Sequence, residues 1–77
     1  MKNFYFTFGT RHFTTDGINM GTYWVTVVSE NYHNARQIFV NQFTSQRMER
    51  EDLFDRQYTD QDFDPNFFPG GEFERIE

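Results

Sequence analysis

Aromatic and more polar side chains alternate near the start of the chain, and this pattern predicts a strand. Every second position there carries a phenylalanine, which places Phe4, Phe6 and Phe8 on one face. A period of two is typical of a half-buried strand. A second strand is predicted from Thr22 to Glu30, where β-branched and aromatic residues dominate. Both of its faces are apolar, so we expect it at the centre of a sheet or with one face reserved for a partner.

The hydrophobic period changes after Glu30 and predicts a helix. Asn31 is a residue type that caps helix N-termini. Apolar residues then recur at spacings of three and four, which places them on one side of the helix. They are Tyr32, Ala35, Ile38, Phe39 and Phe43. The polar segment from Ser45 to Asp52 could either prolong the helix or form a loop.

Two further strands are predicted in the last third of the chain. Leu53 to Thr59 is the first of them, with Phe54, Arg56 and Tyr58 on one face. Glu72 to Ile76 is a short edge strand after the turn Pro69-Gly70-Gly71, with Phe73 and Arg75 on one face. The order β-β-α-β-β predicts one α+β domain over residues 1–77, with one helix packed on a small antiparallel sheet of three to four strands. The predicted core between sheet and helix consists of Phe6, Val25, Val27, Ile38, Phe39 and Phe43.

Charge is distributed unevenly along this pattern. Residues 49–77 hold ten acidic residues and three arginines, a formal charge of 3 − 10 = −7, whereas residues 1–48 carry 4 − 2 = +2. The acidic third also contains five Phe and one Tyr, which a disordered acidic tail would lack. We therefore predict an ordered acidic surface held to the core by its rings. The residues predicted to bind a partner there are Asp60, Asp62, Asp64, Glu72, Tyr58, Phe63 and Phe67.

Candidate catalytic and metal-binding patterns are weak. The run Asp60-x-Asp62-x-Asp64 opens like a calcium-binding EF-hand loop, but Pro65 stands where that loop needs glycine and Gly71 where it needs glutamate. The two histidines have no metal-binding spacing, and the chain has no cysteine to supply a thiolate. We predict no catalytic residue, no cofactor and no metal, and hence that the protein is not an enzyme.

The net charge of −5 determines which partners are expected. Direct binding to phosphate backbones needs clustered Lys and Arg, so we expect no nucleic acid as direct ligand. A basic protein suits this charge, including one whose own ligand is nucleic acid. The sequence predicts no signal peptide and has no run of membrane-spanning length, so we expect no membrane partner. The absence of cysteine fits a cytoplasmic protein.

Three stretches of the chain carry a resemblance to a known group of proteins. They are Phe4 to Gly9, Ala35-Arg36 within the predicted helix, and Tyr58 to Gly71. These stretches resemble the F-T-F-G strand, the A-R helix and the Y-T-x-x-x-F-x-P-x-x-F-P-G-G ending of a group of small bacteriophage and prophage proteins. The match spans nearly the whole chain. This chain differs from the group in its longer first loop and in the polar stretch Ser45 to Asp52.

The resemblance implies an association with phage, and small acidic phage proteins include inhibitors of host defence. Anti-CRISPR proteins are among them. The expected function is therefore a stoichiometric inhibitor in the bacterial cytoplasm, a DNA mimic that binds the nucleic-acid-binding groove of a CRISPR effector nuclease. Two alternatives stay open. One is a phage structural or regulatory protein that self-associates, for example as a homodimer, and the other is a metal-dependent nuclease built on Asp60, Asp62, Asp64 and His12.

Overall fold

The computed structural model describes residues 1–50 and 54–77, and within them four strands form one sheet. The strands are β1 (Lys2–Thr7), β2 (Tyr23–Ser29), β3 (Arg56–Thr59) and β4 (Gly71–Ile76), and their order across the sheet is β3-β1-β2-β4. The helical segment packs on one face of this sheet. The predicted α+β class and the order β-β-α-β-β are confirmed.

The sheet is mixed rather than wholly antiparallel. β1 pairs antiparallel with both β2 and β3, as the sequence predicts, but β2 and β4 pair in parallel. The reason is the path of residues 60–70, which connect β3 to β4 by crossing the face of the sheet that lies opposite the helix. A connection that carries the chain back to the end of the sheet where the previous strand began makes the next strand run parallel to that strand. We call residues 60–70 the crossover loop.

The helical segment begins where the sequence predicts. The Asn31 side chain caps α1 (Tyr32–Phe39) by accepting a hydrogen bond of 2.8 Å from the backbone N–H of Asn34. A π-helical turn, Val40–Thr44, follows directly, and then a short α2 (Ser45–Arg47). The start of the polar segment therefore prolongs the helix, which ends at an extended Met48. The last two residues of the polar segment, Glu51 and Asp52, lie outside the described residues.

Aromatic rings fill the core between the sheet and the helix. Phe6 stacks on Phe39 with ring centroids 4.0 Å apart, and Phe39 stacks in turn on Phe43. Val25 and Val27 are fully buried beside them. These five residues confirm the predicted core, whereas the sixth, Ile38, is partly buried at its margin.

The connection between β1 and β2 adds residues to this core. It folds back at Gly17, where φ is +89°, and the N–H of Met20 donates to the carbonyl of His12 at 2.8 Å. Thr14 bridges to Met48 at the end of the helix, and the side chains of Met20 and Met48 are buried. Asp16-Gly17, a dipeptide that favours turns, is therefore the tip of a hairpin that closes one end of the core.

Two expectations about strand faces in the acidic third are wrong. Phe54 and Tyr58 were expected on one face, but Phe54 packs edge-on against Phe6 in the core while Tyr58 lies on the opposite face. The strand also begins at Arg56 rather than at Leu53, which lies outside the described residues. In β4, Phe73 packs against Tyr23 and Arg75 points to the other face, because a bulge interrupts the pairing with β2.

Candidate partner-binding face

The sheet has a second face, opposite the helix, which we call the open face. The antiparallel register places Tyr5 of β1 between Thr26 of β2 and Tyr58 of β3. Successive side chains of a strand point to opposite faces, so these residues face away from the Phe4 and Phe6 side chains in the core. The crossover loop lies on this face.

An aromatic cluster on the open face holds the crossover loop to the sheet. Its central ring is Phe63, which stacks on Tyr5 with centroids 4.3 Å apart and planes 6° apart. Trp24 meets Phe63 edge-on at 5.0 Å, and Tyr58 lies 5.7 Å from it. Phe68 stacks on the same ring at 5.6 Å. Offset and edge-on pairs of this kind are attractive beyond their buried area, so the cluster fixes the position of the loop.

Turn chemistry shapes the loop around this cluster. The side chain of Asp64 accepts a 2.9 Å hydrogen bond from the N–H of Asn66 and so caps a single 3-10 turn, Pro65–Phe67. Proline suits that position because its fixed φ matches the turn. Further on, the N–H of Gly70 donates to the carbonyl of Thr22 at 2.8 Å. A Cβ at Gly70 would lie 2.7 Å from that carbonyl oxygen, so glycine permits the close approach.

The carboxylates of Asp60, Asp62 and Glu72 each bind a different local group. The Tyr5 hydroxyl donates a hydrogen bond of 2.5 Å to the Asp60 carboxylate, and the Thr59 hydroxyl donates one of 3.2 Å to the Asp62 carboxylate. On β4, Glu72 accepts from the Thr26 hydroxyl at 3.0 Å and forms an ion pair of 3.4 Å with Arg75. Because each of these carboxylates lies on an exposed residue, its charge stays in contact with water while its position is fixed.

Tyr5 links the aromatic cluster to the charged rim. Partial burial of the phenol, and then its hydrogen bond to the Asp60 carboxylate, raise the pKa of Tyr5 above its ordinary value. Both causes favour the protonated phenol, which can donate a hydrogen bond, over the phenolate. The contact between the ring of Tyr5 and the start of the crossover loop is therefore stable throughout the neutral range.

Phe67 differs from the other rings of the loop. Its residue is 76% exposed, whereas Phe63 and Phe68 are partly buried in the aromatic cluster. The 3-10 turn turns the ring of Phe67 away from the sheet as it turns Phe68 towards it. A large apolar side chain therefore projects into solvent from the middle of the acidic segment.

The structure places the seven predicted partner-binding residues on or beside the open face, in different positions. Phe63 and Tyr58 belong to the aromatic cluster, and Phe67 projects from the loop. The four carboxylates surround the cluster. Sequence reasoning did not connect Tyr5, Trp24 and Phe68 with this surface. The alternation of β1 and β2 could have shown that Tyr5 and Trp24 face away from the core, but no local pattern shows that the loop covers them.

The metal-binding and histidine candidates have ordinary surroundings. Among residues 1–50 and 54–77 there is no group of three or more His, Cys, Asp or Glu side chains that could hold a metal ion. The Nδ1 atom of His12 accepts a 3.1 Å hydrogen bond from the N–H of Gly9 and so supports the turn after β1. His33 is an exposed residue in the first turn of α1.

In the part of the chain that the structure describes, no helix is long and apolar enough to cross a membrane. Comparison with protein-family models, curated proteins and solved structures finds no match to this chain.

Proposed function

We propose that this protein is a stoichiometric inhibitor that binds a basic, nucleic-acid-binding groove of another protein through its open face. The observation that carries the proposal is the fixed row of carboxylates around the aromatic cluster. Residues 57–74 contain five carboxylates and no Lys, Arg or His. Asp60, Asp62, Asp64 and Glu72 are exposed, and each is held by a hydrogen bond or a cap. Fixed negative charges of this kind can replace a phosphate backbone.

The physical basis is electrostatic. A groove that binds nucleic acid presents Arg and Lys to phosphates, and an acidic face competes for the same side chains. Each exposed charge contributes little by itself, about 0–1 kcal/mol. Several charges together create a field that speeds association by roughly 10-fold to 1,000-fold at low salt. Binding by this face should therefore depend on salt chiefly through the association rate.

The proposed target is a CRISPR effector nuclease in the cytoplasm of a bacterial host, and effectors of the Cas9 type show why such a target fits. Such effectors hold a guide–target heteroduplex in a positively charged channel and contact its backbone, not its sequence. An acidic protein that occupies this channel, or the adjoining groove that binds duplex DNA, would prevent target binding. This choice of target follows the resemblance to phage proteins at Phe4 to Gly9 and at Tyr58 to Gly71, because small acidic phage proteins include inhibitors of host defence.

The test measures inhibition and binding kinetics with a purified, guide-loaded Cas9-type nuclease and its DNA target. The variant replaces four carboxylates by their amides, and we call it the four-amide variant. Its substitutions are Asp60→Asn, Asp62→Asn, Asp64→Asn and Glu72→Gln. Amides keep a carbonyl acceptor for each local hydrogen bond, and Asn caps a turn as well as Asp does. We expect the association rate at low salt to fall at least about tenfold while the dissociation rate changes less.

A matched variant removes the same charge elsewhere. It carries Asp16→Asn, Glu30→Gln, Glu49→Gln and Asp55→Asn, all at exposed positions outside the crossover loop and β4. We expect this variant to inhibit nearly as well as the wild type. Equal loss in both variants would mean that net charge acts without a defined face, and unchanged inhibition in the first would overturn the proposal.

The same experiments separate the two alternative functions. Sedimentation of the wild type at increasing concentration would reveal a self-associating protein, and a dimer that tightens in the four-amide variant, where the repulsion between carboxylates is removed, would assign the open face to that contact. Cleavage of DNA by the protein alone, with Mg²⁺ and without an effector, would favour the nuclease. Neither result is expected if the face competes with nucleic acid for a basic groove.

A further inference from the structure

The rings of the crossover loop have two different roles in the structure. Phe63 and Phe68 stack on each other and both meet Trp24 edge-on, so they hold the loop to the sheet. Phe67 contributes to no ring pair within the described residues and is 76% exposed. Exposed apolar residues are common on protein surfaces, and a single one needs no explanation. Two further properties set Phe67 apart.

The first property is the rigidity of its support. The N–H of Phe67 donates to the carbonyl of Asp64 at 3.3 Å, and that of Phe68 donates to the carbonyl of Pro65 at 3.0 Å. Pro65 restricts the backbone before the ring and Pro69 restricts it afterwards. The loop is also anchored on both sides by Phe63 and by the Gly70 contact with Thr22. A loop held in this way loses little backbone freedom when its ring binds a partner.

The second property is the charge around the ring. The Asp62 and Asp64 carboxylates precede it in the loop, and Glu72 follows it at the start of β4. Because residues 57–74 carry no positive charge, a negatively charged partner, a phosphate backbone and a second copy of the same loop are all repelled. A partner that contacts Phe67 must therefore offer an apolar site within a positively charged surface.

We propose that Phe67 is the anchor of this interface and inserts into an apolar socket flanked by Arg and Lys on a basic protein partner. The inference rests on the proposed function for the class of that partner. The carboxylates steer the encounter, while Phe67 provides the desolvated contact that keeps the complex together. Aromatic anchors in such sockets carry a large share of the binding energy at protein interfaces. Phe63 and Tyr58 then act by holding the loop, not by contacting the partner.

The first test compares Phe67→Ala with Phe13→Ala, a second exposed ring that lies in the hairpin before β2. Circular dichroism should be unchanged in both, and thermal melting should be unchanged in Phe67→Ala. With the guide-loaded nuclease, we expect Phe67→Ala to raise the dissociation rate about tenfold to a hundredfold at both low and high salt, as loss of an anchor does. Phe13→Ala should have no effect. An unchanged dissociation rate in Phe67→Ala overturns the proposal.

A second test needs no effector. It uses two synthetic helical peptides of equal positive charge, one with a leucine face and one with alanine in its place. The wild type should bind the leucine peptide at least about threefold more tightly. Phe67→Ala should remove that preference, and the four-amide variant should bind both peptides more weakly, by the same factor. No preference in the wild type, or one that survives Phe67→Ala, overturns the anchor whatever the protein inhibits.

The two proposals fail in different ways. If the four-amide variant loses inhibition and Phe67→Ala does not, the carboxylates form the contact and the anchor is wrong. If Phe67→Ala releases the nuclease and the four-amide variant inhibits normally at all salt concentrations, the anchor holds and the competition with nucleic acid is wrong. If the wild type does not inhibit the nuclease, the peptide pair still decides the role of Phe67.

Discussion

Both faces of the sheet are built from aromatic rings, but they hold those rings differently. On the helix face, Phe6 and Phe39 are fully buried and stack at 4.0 Å beneath a helical segment. On the open face, Phe63 stacks on Tyr5 at 4.3 Å beneath a single loop and stays partly exposed. The stacking geometry is similar. What covers the rings differs, a helical segment on one face and a single loop on the other, and so the rings have different roles on the two faces.

The difference shows how a chain poor in aliphatic residues can use rings for two purposes. With one Leu, three Ile, four Val and one Ala, the chain must build its core from Phe. On the helix face those rings exclude water and stabilise the fold. On the open face, rings fix the loop, and the hydrogen bond from Tyr5 to Asp60 fixes a charge at its edge. The first set determines whether the protein folds, and the second determines where its carboxylates lie.

The largest expected effect is on the helix face. Phe39→Ala removes a fully buried ring that stacks on both Phe6 and Phe43, and we expect it to cost about 3–5 kcal/mol in the free energy of unfolding. A domain of this size has a free energy of unfolding of roughly 5 kcal/mol, so much of the population would unfold. Urea denaturation followed by circular dichroism measures the change.

Phe67→Ala is the matched control for that measurement, since it deletes the same ring from an exposed position. We expect it to change the free energy of unfolding by no more than about 0.5 kcal/mol. A Phe39→Ala protein that stays soluble and melts cooperatively at the wild-type temperature would show that the helix packs differently.

A smaller effect is expected from the centre of the open face. Phe63→Ala removes the ring that Tyr5, Trp24, Tyr58 and Phe68 all contact, and we expect a cost of about 1–3 kcal/mol because the ring is partly exposed. The loop should detach while the helix face stays folded. The fluorescence of Trp24 should then shift, since the edge-on contact at 5.0 Å is lost. A wild-type emission spectrum together with a wild-type urea midpoint would show that the loop does not depend on Phe63.

The next prediction concerns alkaline pH. Because the pKa of Tyr5 is raised in the folded state, the protonated phenol contributes stability that is fully present below the unfolded pKa of about 10. That contribution is lost as pH rises through the higher folded pKa. The urea midpoint of the wild type should therefore fall above about pH 10, and Tyr5→Phe should fall less steeply. Parallel curves for the two proteins would mean that the folded state does not favour the protonated phenol of Tyr5.

The two faces also differ in how far the sequence predicts them. The alternation in β1, the cap at Asn31 and the helical spacing to Phe43 are local patterns, and the structure confirms all three. The buried Met20 and Met48 were not predicted. They enter the core because the hairpin folds back and bridges Thr14 to Met48, a contact between distant segments.

The open face depends mostly on contacts that no local pattern encodes. The parallel direction of β4 follows from the crossing of the sheet by residues 60–70, and the face of Phe73 follows from a bulge opposite Trp24 and Val25. Phe63, Phe67 and Phe68 are the same residue type in a segment without a regular period. Their inward or outward positions follow from the 3-10 turn at Pro65, so the sequence identifies the acidic surface but not which ring it exposes.

The smallest expected effect is that of a chelator. Asp60, Asp62 and Asp64 bind the Tyr5 phenol, the Thr59 hydroxyl and a backbone N–H, in three separate contacts. If rings and hydrogen bonds alone hold the open face, EDTA should leave the melting temperature unchanged, and added Ca²⁺ should not raise it. A metal ion that bound the folded state would raise the melting temperature with its concentration. A marked fall on adding EDTA, reversed by Ca²⁺ in the wild type and not in the four-amide variant, would show that these carboxylates hold a cation and that the face is not free for a basic partner.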